Sequence, residues 1–168
     1  MHTSIIDSLK KRVVCELKAK GLTLFTAESC TGGLICKLIT DVSGASGVLK
    51  SGIVSYVNEI KMNILKVPKE IIDTCTEVSA ECAEKMAEGA RMISGADFGI
   101  STTGYASGGE GVPENMTGVV FISVSDCNGN MVERCKFEGN RDEVREQAAE
   151  KAMELLLTRL GKVNDEGK

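Results

Sequence analysis

A six-residue stretch, ESCTGG at positions 28–33, contains the first residue types along the chain that could carry chemistry. It follows a β-prone run and precedes the helix-prone run LICKLIT, so it lies where the carboxyl end of a strand meets a helix. Open α/β sheets bind ligands at such junctions, because the N–H groups of a helix's first turn can stabilise an anion, including an oxyanion. Spacing alone nevertheless favours a plainer interpretation, in which a Ser or Thr caps the helix and the glycines allow tight packing.

Two neighbouring side chains of this stretch, Ser29 and Cys30, are candidate nucleophiles without a histidine to activate them. The chain contains one histidine, His2, beside the first methionine, which argues against a Ser-His-Asp triad, a Cys-His pair or a histidine-ligated zinc site. A serine nucleophile would then need a lysine base with a depressed pKa. Lys61 is the most suggestive lysine, with Tyr56 placed to orient a proton, although a surface helix position is the alternative. Cys30 ranks second, since a helix N-terminus lowers the pKa of a thiol.

Two arginines near the C-terminus, Arg141 and Arg145, are four residues apart and therefore share one helix face. Arginine binds phosphate through paired hydrogen bonds, so these two residues could form an anion clamp. The acidic neighbours of both arginines make a self-compensated surface an equally good interpretation.

Helices alternate with strands along most of the chain, and a hairpin follows near the end. This order predicts a layered α/β fold with a mixed sheet. Thr103, which ends one predicted strand together with Gly104, would face Ser29 if that strand neighbours the first. The predicted helices span 3–20, 34–40, 58–65, 69–73, 79–95 and 141–160, and the predicted strands span 22–27, 48–57 and 96–104, with the hairpin turn at Asn128-Gly129.

The composition narrows the class of protein. A chain of 168 residues with 42% hydrophobic and 26% charged residues suits one globular domain. Its net charge of −4 argues against nucleic-acid binding, which normally needs a basic surface. No apolar run approaches the roughly 20 residues of a membrane span, and no signal-peptide pattern is present, so a cytoplasmic location is expected. The seven cysteines form no C-x-x-C pair, which favours reduced thiols over a disulfide framework or a metal site.

Several stretches together resemble the C-terminal domain family of the competence-and-damage-inducible protein CinA, over roughly residues 5–160. The resemblance implies a three-layer α/β/α domain at 1–161 with a mixed, mostly parallel sheet; residues 162–168 are predicted to be a disordered tail. The matching stretches are TAESCTGGLICKLITDVSGASG, GIVSYVNEIK, VSAECAEKMAEGAR, ADFGISTTGYA, TGVVFISV and the pattern F-x-G-N-R-x-x-V-R.

The resemblance also implies an activity. Amidase members of the family hydrolyse the carboxamide of nicotinamide mononucleotide to nicotinic acid mononucleotide and ammonia, by a serine–lysine mechanism without a metal or other cofactor. By motif position, Ser29 corresponds to the nucleophile and Lys61 to its base, with Tyr56 and Thr103 as supporting residues. A small-molecule nucleotide is the implied partner, without nucleic acid or membrane, and a homo-oligomer is expected. The expected substrate-binding positions are Cys30, Thr31, Gly32, Gly33, Gly104, Arg141 and Arg145.

Two departures from the family pattern bear on the substrate. The family's T-G-I-A-G-P is replaced here by TGYASG at 103–108, and its Lys-Pro before the next strand is replaced by Asn115-Met116. A Ser-Lys amidase for another small amide, or a non-catalytic nucleotide-binding module, therefore remain alternatives. A chain of 168 residues has no room for the large N-terminal domain of full-length CinA, so the activities of that domain are not expected here.

Overall fold

Five strands form one mixed sheet in the computed structural model, which describes residues 2–163, with side chains from residue 5 onward. The strand order is β2-β1-β3-β4-β5, with β1 parallel to both β2 and β3, and β4 antiparallel to both β3 and β5. Four strands therefore run in one direction and β4 runs against them, which confirms the predicted mixed sheet. The strands are β1 (Leu24–Glu28), β2 (Leu49–Val54), β3 (Phe98–Gly104), β4 (Val119–Asp126) and β5 (Gly129–Lys136).

Helices cover both faces of this sheet. One core cluster joins α1, α2 and α6 to the first face, and a second joins α5 and the residues around α4 to the other. Leu24 packs in the first cluster and the next residue, Phe25, in the second, as strand alternation requires. The helices are α1 (His2–Lys20), α2 (Leu34–Thr40), α3 (Asn58–Asn63), α4 (Lys69–Cys75), α5 (Ala80–Ser94) and α6 (Arg141–Val163).

Local signals explain where several elements begin and end. Gly21 follows α1 with a φ of +65°, a conformation that glycine adopts without strain. Pro68 precedes α4, and the Ser79 hydroxyl caps α5 by accepting a hydrogen bond of 3.1 Å from the N–H of Cys82. Gly129, with a φ of +119°, begins β5 and pairs with Asp126, so the two residues of the hairpin turn are Cys127 and Asn128, one residue before the predicted Asn128-Gly129.

Two predicted boundaries differ from the structure by three residues, and the others agree to within two. The strand predicted over 48–57 ends at Val54, because β1, the strand with which it pairs, ends at Glu28, whose carbonyl accepts the last bond between the two strands from the N–H of Ser55. At the C-terminus, α6 runs to Val163, two residues into the predicted tail, and residues 164–168 lie outside the described residues. No helix between residues 2 and 163 is long and apolar enough to cross a membrane.

Candidate active site

Ser29 follows β1 directly and lies beside a lysine that is distant in sequence. Its backbone N–H donates a hydrogen bond of 3.0 Å to the carbonyl of Thr102 in the neighbouring strand β3. Its side-chain Oγ lies 3.3 Å from Nζ of Lys61. Both residues are buried, at 8% and 1% exposure. The pairing of β1 with β2 brings the two together, since Lys61 lies in α3, the next helix after β2.

Lys61 is held by backbone and kept out of water. Its Nζ donates a hydrogen bond of 2.9 Å to the carbonyl of Ser55, the residue that links the end of β2 to Glu28. Burial lowers the pKa of the Lys61 amine from its ordinary 10.5, and the nearby Cys82 thiol and Glu77 carboxylate oppose that shift only in part. A neutral amine so close to a serine hydroxyl is able to accept its proton.

The carboxylate of Glu28 occupies the N-terminus of α2. It accepts hydrogen bonds from the backbone N–H groups of Gly33, Ile35 and Cys36, at 2.8–3.1 Å, and one of 2.6 Å from the Thr31 hydroxyl. The expectation that this helix's first turn has free N–H groups for an anion is therefore wrong, because a side chain of the protein already satisfies them. The Thr31 hydroxyl is also 2.8 Å from that of Thr102.

The turn between Ser29 and α2 still offers backbone donors. It is closed by a hydrogen bond of 3.1 Å from the N–H of Gly32 to the carbonyl of Ser29. Within the part of the chain that the structure describes, the N–H groups of Cys30 and Thr31 donate to no backbone carbonyl. These two groups lie immediately after the serine, where donors for an oxyanion are placed in acyl-transfer sites.

Cys30 is a poor nucleophile in this setting. The residue is 7% exposed, and burial raises the pKa of its thiol to about 12. The expectation that the helix dipole lowers the pKa of this thiol is wrong, because loss of solvent outweighs the dipole and Glu28 already neutralises that helix end.

The two arginines lie at different places. Arg141 donates hydrogen bonds to the hydroxyls of Ser107 (2.6 Å) and Tyr56 (3.1 Å) at the cavity that contains Ser29. Arg145 instead donates a bond of 2.9 Å to the carbonyl of Cys30. Position 32 must be glycine for this second arrangement, because a Cβ there would overlap the Arg145 guanidinium.

Ser29 and Lys61 line a cavity of about 330 Å³, within the size range of small-ligand sites. Tyr56, Cys30, Thr103 and Gly104 also line it, and residues 105–110 of the β3–β4 loop form one wall. Thr31, Gly32 and Gly33 line a separate cavity of about 480 Å³ with Arg145. In residues 5–163, no group of three or more His, Cys, Asp or Glu side chains is arranged to hold a metal ion.

The Thr103 hydroxyl bonds to Glu77 and not to Ser29. β3 does neighbour β1, as predicted, but this hydroxyl donates a hydrogen bond of 2.6 Å to the backbone carbonyl of Glu77. Gly104 packs against β4 so closely that a Cβ would meet the backbone of Val119 and Val120.

Three residues of the site were not singled out from the sequence: Glu28, Ser55 and Glu77. The role of Glu28 has a sequence signal, because a glutamate directly before a Ser-Cys-Thr-Gly-Gly turn can reach the N–H groups of the next helix with its carboxylate. The Ser55 carbonyl is a backbone group with no sequence signal. Glu77 lines the cavity through contacts that only the tertiary structure creates.

The fold and this site match one known family. The family model described as the CinA C-terminal domain matches residues 6–160, and the chain belongs to that family. The chain is 40% identical over 150 residues to a putative competence-damage inducible protein of Caldanaerobacter subterraneus subsp. tengcongensis, covering 89% of this chain and 36% of that protein. It is 42% identical over 154 residues to a CinA-like protein of Geotalea uraniireducens, covering 92% and 37%. The chain thus spans little more than a third of the length of these curated relatives.

Solved structures agree over nearly the whole chain. The competence/damage inducible protein CihA of Agrobacterium tumefaciens superposes with a TM-score of 0.89 at 34% identity, covering 94% of this chain and 96% of that one. A competence-damaged protein (CinA) superfamily protein of Escherichia coli has a TM-score of 0.85 at 31% identity, covering 90% and 88%. These matches confirm the predicted family and the predicted α/β fold.

Proposed function

We propose that this protein is an amidohydrolase that converts nicotinamide mononucleotide to nicotinic acid mononucleotide and ammonia, with Ser29 as nucleophile and Lys61 as general base. The observation that carries the proposal is the distance of 3.3 Å between Ser29 Oγ and a buried lysine Nζ whose pKa is lowered by burial. An unactivated serine is a weak nucleophile, and a neutral amine at hydrogen-bond distance supplies the activation that a histidine supplies elsewhere.

The reaction proceeds in two halves. Neutral Lys61 takes the hydroxyl proton of Ser29 while Oγ attacks the carboxamide carbon, and Lys61 then gives that proton to the departing nitrogen, so ammonia leaves. The nicotinoyl group remains as an ester on Ser29. Water attacks this ester, Lys61 takes the water's proton and returns it to Ser29 Oγ, and the carboxylate product is released.

Backbone donors complete the proposed chemistry. The N–H groups of Cys30 and Thr31 are the donors for the oxyanion of both tetrahedral intermediates, because they follow the nucleophile and have no backbone acceptor among residues 2–163. The Ser55 carbonyl orients Lys61 through its bond of 2.9 Å. Cys30 takes no covalent part, since a thiol with a pKa near 12 is protonated at physiological pH.

Arg141 is the proposed partner of the substrate's 5′-phosphate. It lines the same cavity as Ser29, and its guanidinium is held by two hydroxyls, so no carboxylate among residues 5–163 neutralises its charge in an ion pair. Arginine suits phosphate because its planar fork donates two parallel hydrogen bonds. Arg145, bonded to the Cys30 carbonyl, is instead proposed to hold the turn that carries the oxyanion donors.

The test is ammonia release from nicotinamide mononucleotide by wild type, Ser29→Ala and Lys61→Met. Loss of the nucleophile should abolish turnover, and loss of the base should lower kcat by roughly 10²–10⁴-fold. Wild-type kcat should rise with pH through the lowered pKa of Lys61 and level off below the ordinary value of 10.5, because the amine must be neutral. Lys69→Met, which removes an exposed lysine paired with Asp73, is the matched control and should keep full activity. Equal rates in all variants would contradict the proposal.

A further inference from the structure

Glu77 places a carboxylate in the cavity next to the proposed dyad. It lies between α4 and α5 and lines the same cavity as Ser29 and Lys61. No side chain or N–H group among residues 5–163 forms a hydrogen bond or ion pair with this carboxylate. Lys61 is close enough to interact with this carboxylate through space, but the two side chains form no hydrogen bond. A half-buried carboxylate at a ligand cavity that accepts no hydrogen bond from the described residues is available to a ligand of opposite charge.

The backbone around Glu77 is held in place from several sides. The Thr103 hydroxyl donates a hydrogen bond of 2.6 Å to the Glu77 carbonyl, and the Ser79 hydroxyl donates one of 2.9 Å to the carbonyl of Thr76. Thr76 itself has a φ of +71°, which is rare and strained for a β-branched residue. Strain retained at a ligand cavity indicates that the surrounding contacts fix this segment, so the carboxylate is presented from a pre-organised position.

The cavity therefore carries two opposite charges for a ligand. Burial works against the positive charge of Lys61 by lowering its pKa. Arg141 contributes a cation and Glu110 a carboxylate on exposed parts of the cavity wall, where water screens both charges, whereas Glu77 contributes a half-buried anion. A ligand that matches this arrangement carries an anionic group and a cationic group together.

Nicotinamide mononucleotide has that charge pattern, with a phosphate and a quaternary pyridinium nitrogen. The pyridinium nitrogen bears no hydrogen, so a protein recognises it by charge rather than by a hydrogen bond from N–H. Tyr105 lies in the same cavity wall, and an aromatic ring adds to the attraction of a carboxylate for a cation. Burial and the nearby Glu77 charge raise the pKa of Tyr105, which places these two side chains within electrostatic range of each other.

Taking the proposed function as its premise, we propose that Glu77 is a specificity-determining residue that pairs with the cationic ring of the substrate. The protein then binds the oxidised, pyridinium form of the mononucleotide in preference to the reduced dihydropyridine form, whose ring is neutral. Thr103 is a positioning residue in this account, because it acts through the Glu77 carbonyl.

Isothermal titration calorimetry with the oxidised and the reduced forms of the mononucleotide tests this preference without turnover. The Ser29→Ala variant should bind the oxidised form at least about tenfold more tightly than the reduced form, as expected for one partly buried charge pair. Adding Glu77→Gln should remove most of that preference, and adding Glu77→Asp should keep it. Glu81→Gln, an exposed carboxylate in the first turn of α5, is the control and should leave the preference unchanged.

A preference that survives Glu77→Gln, or that is absent in Ser29→Ala, would overturn the inference. Loss of affinity for both forms alike in Glu77→Gln and Glu77→Asp would also overturn it, since that is the mark of a structural role. Failure of the proposed function is seen separately, as absence of ammonia release by the wild-type protein. The two failures are therefore distinguishable.

Discussion

Replacing Glu28 with glutamine should destabilise the protein severely, although the change alters one atom. The wild-type carboxylate is 1% exposed and accepts four hydrogen bonds, three at Oε2 and one at Oε1. A glutamine amide has one oxygen, which can take the three donors at the Oε2 site. Its NH₂ group then faces the N–H of Cys36, so two donors oppose each other.

The size of the loss follows from these contacts. The Cys36 N–H loses its acceptor, and the three bonds that remain lose the charge that strengthens them. Together these effects should lower the free energy of unfolding by roughly 3–5 kcal/mol. That is a large share of the 5–15 kcal/mol by which domains are usually stable, at about one fifth or more.

Urea denaturation measures the loss, and amide hydrogen exchange locates it. The amide of Cys36 should exchange faster in Glu28→Gln than in wild type, because it loses its acceptor. The amides of Gly33 and Ile35 should be affected less, because their acceptor oxygen remains and loses only its charge. Glu70→Gln is the matched control, since Glu70 is an exposed glutamate in the first turn of α4 and should change stability by no more than about 0.5 kcal/mol. A loss of unfolding free energy below about 1 kcal/mol in Glu28→Gln would refute the conclusion that the Glu28 carboxylate caps α2.

Three further predictions concern stability. Asp126→Asn should lower the free energy of unfolding by about 1–3 kcal/mol in urea denaturation, because Arg159 donates hydrogen bonds of 2.6 and 2.7 Å to that carboxylate. Burial raises the pKa of Asp126, but the hydrogen bonds from Arg159 outweigh burial and hold this pKa below the ordinary 3.8. Wild type should therefore lose the stability that the Asp126–Arg159 pair contributes as pH falls through the lowered pKa. Stability that stays unchanged over that range would count against the pair. Gly89→Ala should cost about 1–3 kcal/mol, because a Cβ there overlaps the carbonyl of Leu65, and an unchanged melting temperature would contradict this. Wild type should become more stable as pH rises from the lowered pKa of Lys61 to the ordinary lysine pKa of 10.5, and Lys61→Met should not show this rise. Curves of stability against pH that run parallel for the two proteins would argue against a buried amine.

The fold could be predicted from local signals because its elements are clearly marked. Gly21, Pro68 and Ser79 mark helix boundaries, and the alternation of helices and strands indicates the layered class. The end of β2 was predicted three residues too late, because β1, its neighbour in the sheet, ends at Glu28 and leaves the residues after Val54 without a strand to pair with. That limit depends on sheet pairing, which no local pattern encodes.

The site was less accessible to sequence reasoning than the fold. Ser29 and Lys61 are 32 residues apart, and the lack of a usable histidine suggested their pairing, which the resemblance to a family then supported. Spacing placed Arg141 and Arg145 on one helix face, yet their side chains bind different partners around the same serine turn. The raised pKa of the Cys30 thiol follows from burial, which cannot be read from a helix N-terminus alone.

Trapping the covalent intermediate tests the central claim most directly. Wild-type protein mixed with nicotinamide mononucleotide and quenched in acid within the first turnovers should carry one nicotinoyl mononucleotide group, found by peptide mass spectrometry on Ser29. The adduct should be absent from Ser29→Ala and should form much more slowly in Lys61→Met. An adduct on Cys30, or ammonia release without any adduct and undiminished in Ser29→Ala, would contradict the account.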